Sequence, residues 1–330
     1  MRNAALPAIR VRAHAKINLN LRVLARREDG YHDLRTVFQA LALHDSLTFV
    51  ARPGPFDLQS SDVHLPADST NLVWRAAERL WRHLRRDGPP RDVAVRLDKR
   101  IPMKAGLGGG SADAAAALLG FVGLWDPQLP LADLAALGRQ LGADVPFFFT
   151  GGAALGLGRG DEIYPLVDLP RLGVLLVVPD VDVSTADAYR WLDEERAEGQ
   201  VGQMGQMGQV GRVGHRSIIP ACTWPFPACE IANDFEPVVA ARHPEIAEIV
   251  RALEASGAAA AAMTGSGSAV FGLFDKDEVL ATAARSLECS GCSTLRTRTL
   301  SRREYLRAST PVGGRSPAGR LVCKRTRRVN

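Results

Sequence analysis

The segment that most constrains this chain is Pro102-Met103-Lys104-Ala105-Gly106-Leu107-Gly108-Gly109-Gly110-Ser111-Ala112-Asp113, with four glycines in five positions. Ahead of it, residues 93–97 alternate apolar and polar like a half-buried strand. Behind it, residues 114–124 carry apolar side chains at helical spacing. A strand, a glycine loop and a helix start together form a phosphate cradle. Glycines let backbone N–H groups approach an anion, and the helix N-terminus favours negative charge. Two better-known loops do not fit. A Walker A loop needs a lysine after the glycines, and the dinucleotide fingerprint counted from Gly106 ends on Ser111 instead of glycine. Ser111 is also placed to act as an N-cap, which is compatible with phosphate binding.

At 330 residues the chain has room for two domains with separate cores. No apolar run approaches the ~20 residues that span a bilayer. The strand-like pattern starts near Ile9, before a signal peptide of roughly 15–30 residues is complete, so a cytoplasmic location and no membrane partner are expected. The net charge of +5 is unevenly spread: residues 296–330 hold eleven Arg and Lys against one acidic residue, leaving the preceding residues at −5. The basic character therefore belongs to the tail, and residues 301–330 read as a solvated, disordered extension more than as a nucleic-acid site. Five cysteines argue against a disulfide framework. Cys289-Ser290-Gly291-Cys292 has no matched second pair, because Cys222 and Cys229 are spaced differently, so no metal site is expected there.

The pattern along the chain mixes strands and helices without strict alternation, which favours an α+β fold. In residues 13–23, Ile17, Leu19, Leu21 and Val23 share one face while Lys16, Asn18, Asn20 and Arg22 share the other. Asp29-Gly30 signals a turn, and strands are expected at 36–43 and 46–50. Helices are expected at 71–84 and 131–141, followed by an interruption at Gly142-Ala143-Asp144-Val145-Pro146. Residues 172–178 read as a buried strand. The Gln-Met-Gly repeats of 199–214 read as a low-complexity surface insertion. Further helices are expected near 237–239, 246–255 and 279–287. Between the last two lies a second glycine loop, Thr264-Gly265-Ser266-Gly267-Ser268, leading into a strand at 269–274.

Three separated blocks, Ala15-Lys16-Ile17-Asn18-Leu19, the glycine loop, and Gly265-Ser266-Gly267-Ser268-Ala269, resemble the signature motifs of the GHMP kinases. Gly30-Tyr31-His32, Asn71-Leu72-Val73, the 141–146 block and Asn233-Asp234-Phe235-Glu236 extend the similarity over roughly residues 10–300. The resemblance implies a two-domain fold, with a ribosomal-protein-S5-domain-2-like N-terminal half (1–168) and a ferredoxin-like C-terminal half (169–300). It implies transfer of the ATP γ-phosphoryl group to a small-molecule hydroxyl, with Mg²⁺.

Carried over residue by residue, the resemblance makes Lys16 and Asp144 the catalytic pair. Pro102, Met103, Lys104, Ala105, Gly106, Leu107, Gly108, Gly109, Gly110, Ser111 and Ala112 become the ATP loop. Asn18, Tyr31, His32, Tyr189, Gly265, Ser266 and Gly267 become contacts to a cytosine- and diphosphate-bearing substrate, with Tyr189 opposite Tyr31 and His32 across the base. From the residues alone, Asp144 is equally a helix cap and Lys16 an exposed strand lysine. Likewise, Tyr31, His32 and Tyr189 are equally packing residues, and the second glycine loop is equally a tight turn. Lys99 reads as a nucleotide contact or a strand-end charge, and Lys104 as a phosphate contact or a solvated side chain. Ala112 replaces a frequent serine, and no acidic magnesium ligand is evident. Two other readings are a homoserine- or mevalonate-type kinase and a non-catalytic nucleic-acid-binding protein. Gly30-Tyr31-His32 argues against the first, and the joint presence of Lys16 and Asp144 against the second.

Overall fold

The computed structural model describes residues 8–126, 128–202, 231–287 and 291–313. It opens on a long antiparallel hairpin, β1 (Ala8–Arg26) and β2 (His32–Pro55), turning through Asp29-Gly30 with Gly30 at φ 85°. There follow β3 (Asp57–Ser60), α1 (Leu72–His83), β4 (Arg91–Asp98), α2 (Gly109–Trp125), α3 (Leu131–Leu141), α4 (Phe147–Thr150), β5 (Ala153–Leu157) and β6 (Glu162–Pro165). The second half contains β7 (Gly173–Pro179), α5 (Thr185–Gly202), β8 (Ala232–Asn233), α6 (Glu236–Ala240), α7 (Pro244–Ala255) and β9 (Ala260–Met263). It ends with β10 (Val270–Phe274), α8 (Asp277–Ser286), β11 (Cys292–Arg298) and α9 (Arg302–Ser309).

Two sheets result, and the fold is α+β as expected. The larger runs β3-β4-β2-β1-β8, with β5 and β6 added beside β2. The two strands expected at 36–43 and 46–50 are one strand, because β2 continues along β1 through a register shift at His14/Lys16 and hands its edge from β5 to β4. The smaller sheet, β11-β7-β10-β9, is antiparallel throughout. Strand β7 is buried on both faces, which explains its unbroken apolar run. Leu175 and Val177 pack among the helices of the second half, with Leu253 and Leu280. Val174 and Leu176 pack instead against Ile17 and Leu19 of β1 in a core shared by both sheets.

The second half of the chain also lends a short strand to the larger sheet. Strand β8 pairs in parallel with β1, Asn20 opposite Ala232. The expected tail also needs correction at its start. Ser301 and Glu304 form a reciprocal capping box, and α9 buries Tyr305 among the helices that cover the larger sheet. The Tyr305 hydroxyl donates to the Phe148 carbonyl at 2.6 Å. Burial of one large aromatic outweighs the solvation of the neighbouring arginines, so this segment folds. Residues 314–330 of the basic tail, most of the repeat insertion, Cys222, Cys229 and Cys289 lie outside the described residues.

Candidate active site

A cleft of about 670 Å³ is lined by both glycine loops and by side chains from both halves of the chain. Its floor is the polar face of β1. Lys16 and Asn18, which alternation placed opposite the apolar stripe, are 3% and 4% exposed, so that face looks into the cleft and not into solvent.

The first glycine loop docks on β1 through Lys16 N–H donating to Leu107 O at 3.0 Å. Two glycines are sterically required. Gly106 lies at φ 74°, and a Cβ there would sit 2.1 Å from Thr264 O. Gly108 lies at φ 70°, and a Cβ there would press on Lys16 and Phe148. Gly108 is also the N-cap of α2, with no side-chain cap, so Ser111 falls inside the first turn and is not the N-cap. The left-handed glycine starts the helix three residues earlier than Ser111 would. The first recorded return bond is Ala112 N–H to Gly108 O at 2.8 Å, which leaves the preceding N–H groups of the turn available to an anion.

The second glycine loop, 264–268, faces the first. Asn233 pins it by donating from Nδ2 to both Met263 O and Gly265 O at 2.8 Å, while its Oδ1 accepts Phe235 N–H at 3.0 Å. Gly265, Ser266 and Gly267 line the cleft opposite the cradle.

Lys16 and Asp144 come together. Nζ of Lys16 lies 3.5 Å from Oδ2 of Asp144 and donates to Asn18 Oδ1 at 2.6 Å. Asn18 passes the chain on, donating from Nδ2 to Thr36 Oγ1 at 2.7 Å, and Thr36 donates to Asn20 O at 2.8 Å. Asp144 does not cap a helix: the N-cap of α4 is Pro146, without a side-chain bond. Its side chain is one-third exposed and lines the cleft. A buried, oriented ammonium therefore stands beside a solvent-reachable carboxylate, the arrangement needed to take a proton from an alcohol and to meet arriving negative charge.

The aromatic residues are arranged differently from the expectation. His32 and Tyr189 stack directly on each other, centroids 5.0 Å apart and planes at 19°, so no base lies between those two rings. His32 Nε2 contacts Asp193 at 2.9 Å, and Tyr189 packs edge-on to Phe235. Tyr189 and Phe235 line the cleft, whereas Tyr31 is 58% exposed under the Arg159 guanidinium and, like His32, is absent from that lining. Burial, then the charges of Asp144 and Asp193, push the Tyr189 phenol up to about 12.

Lys99 and Lys104 meet carboxylates that the sequence did not single out. Lys99 is neither a free strand-end charge nor unpaired. It bridges two buried carboxylates, Asp45 Oδ2 at 2.5 Å and Asp113 Oδ2 at 2.8 Å. Burial, with Asp45 adding to it, holds the Asp113 carboxyl well above the usual carboxylate range despite Lys99. Lys104 extends from the loop to Asp182 at 2.6 Å. Among the described residues no group of three or more His, Cys, Asp or Glu side chains is placed to hold a metal ion. The donor set suits an ion held chiefly by phosphate oxygens and water, as magnesium commonly is, with the Ser111 hydroxyl in the cradle.

Comparison with known proteins places these features together. Residues 71–152 match the GHMP kinases N terminal domain, and residues 226–293 match the GHMP kinases C terminal domain. The chain is 44% identical to a 4-diphosphocytidyl-2-C-methyl-D-erythritol kinase of Solibacter usitatus, covering 89% of this chain and 90% of that one. It is 41% identical to a kinase of the same name from Moorella thermoacetica, over 87% and 98% of the two chains. A crystal structure of 4-(cytidine 5'-diphospho)-2C-methyl-D-erythritol kinase superposes with a TM-score of 0.69 at 34% identity, covering 88% of this chain and 98% of that one. Homoserine kinase from Cytophaga hutchinsonii, at 17% identity and a TM-score of 0.62 over 95% and 98% of the chains, shares the fold. No helix among the described residues is long and apolar enough to cross a membrane. With both glycine loops, the β1 lysine and the 141–146 block in one cleft, and with these relatives matching along most of its length, the chain belongs to the GHMP kinases, in the branch of the 4-diphosphocytidyl-2-C-methyl-D-erythritol kinases.

Proposed function

We propose that this chain transfers the γ-phosphoryl group of ATP to the 2-hydroxyl of 4-diphosphocytidyl-2-C-methyl-D-erythritol, a step of the non-mevalonate isoprenoid pathway. The observation that carries this reading is the Lys16–Asp144 pair, 3.5 Å apart in the same cleft as the glycine cradle. The amides at the start of α2 hold the triphosphate. Asp144 takes the hydroxyl proton as the alcohol oxygen bonds to the γ-phosphorus, and the bond to the β-phosphate oxygen breaks to release ADP. Lys16, fixed by Asn18, counters the charge that spreads over the transferred group. Magnesium, when bound, neutralises phosphate charge, and Ser111 is the cradle hydroxyl that would hold it. The second glycine loop receives the substrate diphosphate, and Tyr189 with Phe235 provides an apolar wall for the cytidine end.

The test is direct. Purified protein, ATP and Mg²⁺ are incubated with 4-diphosphocytidyl-2-C-methyl-D-erythritol, homoserine or mevalonate, and ADP is followed. Turnover with the first alone, and phosphorus NMR placing the new phosphate on the 2-oxygen, is the expected result. Turnover with homoserine or mevalonate instead would overturn the substrate assignment.

A further inference from the structure

A second concavity, of about 440 Å³, shares no lining residue with the cleft. Four arginines converge on it: Arg100 beyond β4, Arg171 ahead of β7, and Arg296 and Arg298 on β11. His44 of β2 and Asp277 of α8 add to the lining. Arg298 is engaged, donating to Glu304 and to the Thr299 carbonyl, both at 3.1 Å. Arg100, Arg171 and Arg296 are exposed and make no ion pair or side-chain hydrogen bond among the described residues.

The backbone around these arginines is fixed. The Arg100 N–H donates to the buried Asp45 carboxylate. Next to Arg171, Leu172 N–H donates to Thr299 Oγ1 at 2.9 Å. Between Arg296 and Arg298, Thr297 Oγ1 accepts Leu43 N–H at 2.9 Å, tying β11 to β2. Separate segments thus bring like charges to one depression from rigid positions. Among the described residues Asp277 is the one carboxylate in the lining, so the guanidinium groups remain in excess, and their planar forks match phosphate oxygens in pairs. A nucleic-acid surface would run as a stripe along an extended face, whereas these residues surround a concavity of small-ligand size.

The geometry points to a second anion site that takes the diphosphate group of a small ligand. It does not depend on the kinase reading, since none of its residues enters the cleft. Arg100 nevertheless adjoins Lys99, which lines the cleft and shares Asp45 with it, so the two sites rest on one buried carboxylate.

The experiment is calorimetric titration of the full chain with inorganic pyrophosphate, alone and in saturating ADP. The same titrations are run on Arg171→Ala/Arg296→Ala, and on Arg171→Gln/Arg296→Gln should the first variant fold poorly. The expected result is a binding component that ADP leaves in place and that the double variant weakens at least tenfold at unchanged thermal midpoint. A short alkyl diphosphate separates two sources of the same chemistry: tighter binding than pyrophosphate assigns an organic diphosphate, equal binding the bare anion. A component lost with ADP, or undiminished in the folded variant, would overturn the site. Displacement of pyrophosphate from it by a single-stranded oligonucleotide of higher affinity would do the same, by giving the surface to nucleic acid. Failure of ADP to bind at all would count against the kinase reading and leave this component to be read unaltered.

Discussion

The Thr264 hydroxyl accepts the backbone N–H of Asn18 at 2.9 Å, joining the second glycine loop to β1 across 246 residues of sequence. It also lies 3.4 Å from Asn18 Oδ1 and 3.5 Å from Gly106 O, so one buried hydroxyl touches the strand and both loops. Replacing Thr264 by Val keeps the shape and leaves a buried N–H unpaired, a cost of about 1–3 kcal/mol. Urea unfolding should show a lower midpoint at unchanged slope, together with reduced kcat/KM.

Gly106→Ala is expected to weaken ADP binding by at least tenfold. The added methyl would collide with Thr264 O on a backbone that L-residues rarely adopt, and the loop must move away from the second loop to relieve it. Calorimetric titration with ADP measures this, with circular dichroism as the check on folding.

Acid sensitivity should trace in part to His14. This side chain is 3% exposed, and burial, then the neighbouring His44, lower its pKa from 6.5 to about 4. The unfolded chain therefore binds a proton that the folded chain resists, and stability falls as pH drops through the window from 6.5 to 4. The contribution is roughly 3 kcal/mol at the acid end. In His14→Gln, urea midpoints measured from pH 7 to 4 should decline less steeply than in the wild type.

Tyr305→Ala should destabilise the protein by about 3–5 kcal/mol, the cost of deleting a fully packed aromatic. The ring fills space against Gly151, where a Cβ would lie 1.9 Å from it, and its hydroxyl satisfies the Phe148 carbonyl. A thermal midpoint unchanged from wild type would show that α9 contributes nothing to the core.

Much of the site was legible because its chemistry is local in sequence. Glycine spacing gave the cradle, and alternation put Lys16 and Asn18 on one face. Alternation could not say that this face is buried, which depends on two glycine loops distant in sequence closing over it. Ser301-Arg302-Arg303-Glu304 carries a capping-box signal, but the arginines around it give the segment the composition of a solvated tail, which masks α9. The Asp45–Lys99–Asp113 bridge was not legible at all: its carboxylates are 54 and 14 residues from the lysine, and neither sits in a pattern that marks burial. The His32–Tyr189 stack likewise depends on α5 packing beside β2, a tertiary fact that neither segment announces.

Asp144→Asn tests the central claim most directly, because it removes the proton acceptor while keeping size and hydrogen-bonding capacity beside Lys16. With the methylerythritol substrate and ATP, kcat should fall at least a hundredfold, at the lower end of what a positioned base contributes, while ADP affinity and the thermal midpoint stay at wild-type values. A folded variant that turns over at close to the wild-type rate would contradict it.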